Sequence, residues 1–305
     1  MDLHADNTTS TTDMTCSSYL AGVKINLYFH SLTVAYAMAI SLLTILFNSV
    51  YITSVIRFTR NYYPSDIMYI LLSVSDLLSG LVYTPTWSIA WIIAIHQSRK
   101  NCFFSKVLNA IGHILAEMSF FAIVGITFDL HLFIIHPFFY DKYITNRRTF
   151  LFVIGIWMMT IVLIITCSVT SIRYWRLYET AAGVFAVILC LIISFLHIKI
   201  YLEIRRMCKK ITSATQIDIL NAKKKSAKTG VKILVTFILC FLPISCCVVY
   251  RNIIKRTTFV ATYADQMAHC IYLLNPLLDP FVYYFRLSRI RSNISRIFNK
   301  KIGNK

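Results

Sequence analysis

Long uninterrupted stretches of apolar residues dominate this sequence and constrain its fold more than anything else in it. They cover residues 28–56, 66–96, 103–136, 149–172, 180–201, 231–250 and 260–285. A helix needs about 20 residues to cross a hydrocarbon layer about 30 Å thick, so each stretch is long enough. A backbone in lipid must satisfy its own hydrogen bonds, which leaves helices and closed barrels, and barrel strands are short and alternating. The pattern predicts an all-α membrane protein: a seven-transmembrane helix bundle over 28–285, a tail over 1–27, and a short cytosolic segment over 286–305.

Charge sets the expected orientation. Hydrophobic residues make up 57% of the chain and charged residues 14%, against a formal net charge of +18. The basic residues sit in short clusters between apolar stretches rather than along one face, so they point to membrane topology and not to nucleic acid. With the N-terminus outside, 22 of the 31 lysines and arginines fall on inner connections, ten of them between Lys199 and Lys232 and seven from Arg286 to Lys305. The bias predicts a multi-pass protein of the cell membrane with an extracellular N-terminus and a cytosolic C-terminus. Asn7 opens an acceptor sequon on the outer side, which predicts a glycoprotein. No leader pattern precedes the first span, which is expected to act as its own insertion signal. Cys16 and Cys102 fall on the oxidising side and are expected to pair, with Cys270 as a competing partner.

Six of the seven spans carry unusual residues in a fixed order. Asn48 lies in the first and Asp76 in LSVSDLL of the second. Asp129 follows in the third with Pro137 eight residues on, and Trp157 in the fourth. The sixth holds Phe237-x-x-Cys240-Phe241-x-Pro243, and the seventh Asn275 with Asp279-Pro280-x-x-Tyr283. An ionisable group at mid-membrane costs several kcal/mol unless it is partnered, so Asp76 and Asp279 should face the interior, with Asn48, Ser119 and Asn275 as partners. Pro243 and Pro280 remove backbone donors and should kink their helices.

Taken in order, this set resembles the class A, rhodopsin-like G-protein-coupled receptors over nearly the whole chain. The resemblance implies a sodium ion held by Asp76, Ser119 and Asn275 within the polar network of Asn48 and Asp279, with a proton shared between the two carboxylates as the alternative. It makes Asp129, Leu130, His131, Tyr201, Phe237, Phe241, Pro243, Pro280 and Tyr283 the activation switch, Tyr201 and Tyr283 being tyrosines that turn inward on activation. It also implies an amphipathic helix on the inner leaflet after the last span, where Ile290, Ile294 and Ile297 share one side.

The departures matter as much. Where the family carries an acid followed by arginine and tyrosine, this chain reads Asp129-Leu130-His131. Leucine cannot pair with the acid, so Asp129 must find His131, Lys142 or water. This weighs against ordinary coupling to a heterotrimeric G protein or arrestin. The stretch SIRYWRLYET, read as the loop between the fourth and fifth spans, contains no cysteine, so the family's usual bridge to that loop cannot form. The position of the amine-pairing aspartate holds Gly112, and that of the retinal-binding lysine holds Leu273, which disfavours biogenic amines and excludes retinal. Trp87, Trp91, His113, Glu117, Phe241, Ser245 and His269 are the expected ligand pocket. His113 and Glu117 lie four apart on one face, either as a structural pair or as a ligand-binding one. The predicted function is a receptor that binds an extracellular ligand and signals by helix rearrangement, the alternatives being a non-coupling decoy and, further off, a transporter or channel. No nucleophile, base and oxyanion-donor set suggests an enzyme.

Overall fold

The computed structural model describes residues 27–59, 62–96, 102–170, 172–210, 214–254 and 259–286. Almost all of them are helical: α1 (Leu27–Phe58), α2 (Pro64–Leu78), a π-turn at Ser79–Tyr83, α3 (Thr84–His96), α4 (Cys102–Ile135), α5 (Pro137–Tyr143), α6 (Asn146–Thr170), α7 (Ile172–Lys210), α8 (Ala214–Ile254), α9 (Phe259–Tyr272) and α10 (Asn275–Arg286). By length and composition, six of the described helices can cross a membrane, with α2, the π-turn and α3 running on as one. The seventh apolar stretch folds as two consecutive pieces, α9 and α10, joined by a turn at Leu273–Leu274. Pro276 explains the break. It lacks a donor, and its ring excludes the carbonyl of the preceding turn, so it suits the start of a new helix better than the middle of an old one.

Proline also shapes the second span. Pro85 removes the bond that would reach back one turn, and the helix widens into the π-turn just before it. Hydroxyls cluster on the carbonyls of this turn: Ser41 of α1 donates to Gly80 O at 2.7 Å, five residues before Pro85, Thr84 to Ser79 O at 3.1 Å and Thr86 to Val82 O at 2.6 Å. Two stretches read as connections prove to be helix. Ile172–Thr180, expected in the loop before the fifth span, forms the opening turns of α7, and the Lys-rich segment before the sixth span is helical from Ala214 onward. Alanine, lysine, isoleucine and leucine there are compatible with helix, so the chain continues as helix past the lipid-facing stretch.

Packing is tight in mid-bundle. Tyr51, Leu72, Ile123, Ile233 and Phe237 form one buried cluster across the first, second, third and sixth spans. The Trp157 indole donates to Met118 O at 3.2 Å, tying α6 to α4. Large apolar side chains such as Met159, Val169, Leu191 and Leu239 lie exposed on the outer faces of the helices, the surface a bilayer would cover.

Candidate functional site

The helices surround a cavity of about 1280 Å³ lined by the second to the seventh spans. Trp87, Trp91, His113, Glu117, Phe241, Ser245 and His269 all line it. Their side chains meet in two groups. On the second- and seventh-span side, His269 stacks on Trp87 with ring centroids 4.4 Å apart, and its Nε2 lies 3.4 Å from the Tyr83 hydroxyl. Tyr83 in turn covers Gly112, where a Cβ would fall 2.5 Å from the ring. Any side chain at 112 would have to displace that ring.

The opposite wall is charged. The guanidinium of Arg251 lies 3.8 Å from Glu179 Oε1 and 3.4 Å from Asp265 Oδ2. Asn252 donates to Glu179 Oε2 at 3.2 Å, and His113 Nε2 lies 3.6 Å from Glu179 Oε1. Glu117, one turn deeper than His113, accepts from the phenol of Tyr178. The two residues expected to pair with each other along α4 have therefore each turned to α7 for a partner. The floor is aromatic: Phe241 stacks on Phe237 at 4.5 Å, and Phe120 lies 5.2 Å from Phe237.

Below the floor sits the polar network. Ser119 donates to Asp76 Oδ1 at 3.1 Å and shares a 3.0 Å contact with Ser75. Asn48 donates to Thr44 O at 3.0 Å and to Pro276 O at 2.9 Å, joining the first span to the broken seventh. Five buried acceptor oxygens in this region, Asp76 Oδ2, both of Asp279, Asn275 Oδ1 and Asn48 Oδ1, meet no donor in hydrogen-bond geometry among the described residues. A set of acceptors without donors, two of them on carboxylates, suits a small hard cation such as sodium.

At the far end, Leu130 is only 7% exposed and packs with Ile134, Ile200, Ile204, Leu220 and Ala227, which binds α4, α7 and α8 together. Gly230 lies against this cluster, where a Cβ would come within 2.8 Å of Leu130 Cδ2 and of His197 Nε2. Asp129 accepts from the Tyr140 hydroxyl of α5 at 3.0 Å, a partner that the sequence does not suggest. Burial, and then the neighbouring Asp129 carboxylate, push the Tyr140 phenol above its ordinary pKa. The His131 ring lies 6.2 Å from that of His136. Tyr201, expected to turn inward on activation, is 62% exposed in this packing: Ile200 and Ile204 take the inner face of α7 and leave Tyr201 pointing away from the bundle.

The family described as "7 transmembrane receptor (rhodopsin family)" matches residues 47–283. This chain belongs to that family. The receptor is 24% identical over 307 residues to "Trace amine-associated receptor 13c" of Danio rerio, covering 88% of this chain and 87% of that one. It is 23% identical to "G-protein coupled receptor homolog K2" of Swinepox virus, covering 93% of this chain and 83% of that one. "Lysophosphatidic acid receptor 4" of Homo sapiens matches at 22% identity over 59% of this chain and 54% of that one. The receptor is a multi-pass membrane protein, and its family is one of receptors rather than enzymes.

Sequence reasoning missed Tyr178, Glu179, Arg251, Asn252 and Asp265. The available signal was an arginine and two acids at one end of three successive spans, where an unpaired charge is costly. Asn7, Cys16 and the segment 287–305 lie outside the described residues, as do the side chains of Cys102 and Tyr283. Cys270 is buried in α9 as a free thiol.

Proposed function

We propose that this receptor binds an extracellular ligand in the cavity between Trp87 and Arg251 and signals to a heterotrimeric G protein, with arrestin as a second cytosolic partner. The observation that carries the reading is the joint construction of α8. Its Arg251 end forms a cavity wall, Phe241 is the floor, Pro243 breaks the helix ladder between them, and its Ala227 end packs on Leu130. A ligand pressing on Phe241 acts on the arm that closes the far end, so ligand binding and helix separation are linked. Basic residues concentrate at the Leu130 end, which supports placing that end in the cytosol and the N-terminus outside.

Asp76, Ser119, Asn275 and Asp279 would hold sodium in the resting state. The ion offsets two buried carboxylates, and a proton shared between them is the alternative. The segment after Arg286 is proposed to lie on the inner leaflet through Ile290, Ile294 and Ile297, and Asn7 to carry glycan.

Leu130 favours a second reading, a decoy that binds ligand without coupling, because no guanidinium stands at that position to line the cytosolic cavity. Surface-expressed receptor is expected to recruit G protein or arrestin, constitutively or with ligand, across a broad panel of transducers. Silence across that panel sinks the signalling claim. Signalling that appears only in Leu130→Arg transfers the protein to the decoy class.

A further inference from the structure

We infer that the ligand is a cationic amphiphile: a protonated amine or amidine on an apolar body larger than a single ring, with Glu117 as its counter-ion. The inference rests on the receptor reading and specifies what that cavity takes.

Electrostatics comes first. Among the described lining residues, three carboxylates (Glu117, Glu179, Asp265) stand against one guanidinium (Arg251) and two imidazoles (His113, His269). The wall is therefore net negative as long as either imidazole is neutral, and His269 is buried against the neutral rings of Trp87 and Tyr83. Arg251 does not reverse this, because it already lies between Glu179 and Asp265. An anionic ligand approaching Arg251 would meet both of their carboxylates as well. Glu179 is further held by Asn252 and His113.

Glu117 is different. Its partner is a neutral phenol, Tyr178, and no basic side chain lies within ion-pair distance of it among the described residues. It opens onto the same space as the rings of Phe120, Phe121, Tyr178 and Phe241. A carboxylate among aromatic faces suits a cation twice over, through a charge-assisted hydrogen bond and through the ring quadrupoles.

Position and size complete the case. The expectation that amines are disfavoured rests on Gly112 alone, and the Tyr83 ring closes that spot to any acid. Glu117 supplies the acid five residues deeper and on the fifth-span side. The cavity, about 1280 Å³, exceeds the usual 300–1,000 Å³ of small-molecule pockets, so a compact monoamine would leave much of its apolar wall uncovered.

Three probes of one shape test this on purified full-length receptor in lipid nanodiscs: diphenylpropylamine, diphenylpropanol and diphenylpropanoic acid, each titrated at neutral pH. The amine is expected to bind saturably, on the order of tenfold to a hundredfold tighter than the alcohol, the range for one charge-assisted hydrogen bond, and tighter still than the acid. Glu117→Gln should bring amine and alcohol to equal affinity. Should that variant not fold, Glu117→Asp should weaken the amine selectively while leaving the alcohol unchanged. Equal or tighter binding of the acid, absence of saturable amine binding, or a full amine preference in Glu117→Gln each overturns the inference. Because these outcomes are read as binding, they leave the transducer assay to judge the signalling claim separately.

Discussion

The two ends of this bundle each tie α7 and α8 to a third helix, and they do so by opposite means. At the cavity end, α7, α8 and α9 meet through Glu179, Arg251 and Asp265, in ion pairs whose strength depends on position and direction. At the other end, α4, α7 and α8 meet through Leu130, Ile200, Ile204 and Ala227, which carry no charge. Directional contacts discriminate between geometries and between ligands. Apolar contacts only require surfaces to stay close, and they release once the surfaces part. A receptor built this way places selectivity at one end and a contact that is easily remade at the other.

Four substitutions probe that contrast. Arg251→Ala should have the largest effect: it leaves Glu179 and Asp265 facing each other without a cation, at a cost of about 3 kcal/mol, read as a drop in the thermal unfolding midpoint. Little change would mean that the network is solvated and does not organise the cavity. Leu130→Ala removes the centre of the apolar contact and should cost about 2 kcal/mol while raising basal signalling. Basal signalling unchanged by a fully surface-expressed variant would break the idea that this cluster holds the resting state. Gly230→Ala forces a methyl toward Leu130 and His197 and should cost about 1.5 kcal/mol by overpacking, with the same rise in basal activity from the opposite steric cause.

Tyr140→Phe should be the mildest, about 1 kcal/mol for one lost hydrogen bond to Asp129. The phenol's pKa is raised by folding, so its contribution is fully present below the ordinary tyrosine value of about 10. It is lost as pH rises through the higher folded value. Stability measured against pH should therefore fall more steeply in the alkaline range for the parent than for Tyr140→Phe.

The sequence announces the spans because lipid demands long apolar helices, and it announces Asp76, Asp279 and Asn48 because polar groups in such helices are rare. Which way a helix face points is harder to read. Tyr201 matches by position a tyrosine expected to turn inward on activation, and in this packing Ile200, one residue of helical rotation away, holds the core face. His113 and Glu117 were visible as neighbours four apart, but their partners Glu179 and Tyr178 come from a stretch read as a loop. Leu130 was legible as a missing charge. That it is also a packed centre for three helices depends on Ile200 and Ile204, which are unremarkable in an apolar run, and on Ala227 in the Lys-rich segment before the sixth span.

The break in the seventh span has a mechanical consequence. A continuous helix transmits torque along its whole length, but α9 and α10 share only a turn at Leu273–Leu274. The amide of Asn48 grips the Pro276 carbonyl just past that turn, so the first helix serves as a splint across the fracture. Tyr36 and Thr33 of the same helix bond Cys270 O and Gln266 on the α9 side, so twist applied to α9 at the cavity is shared with the first helix rather than passed straight down to α10.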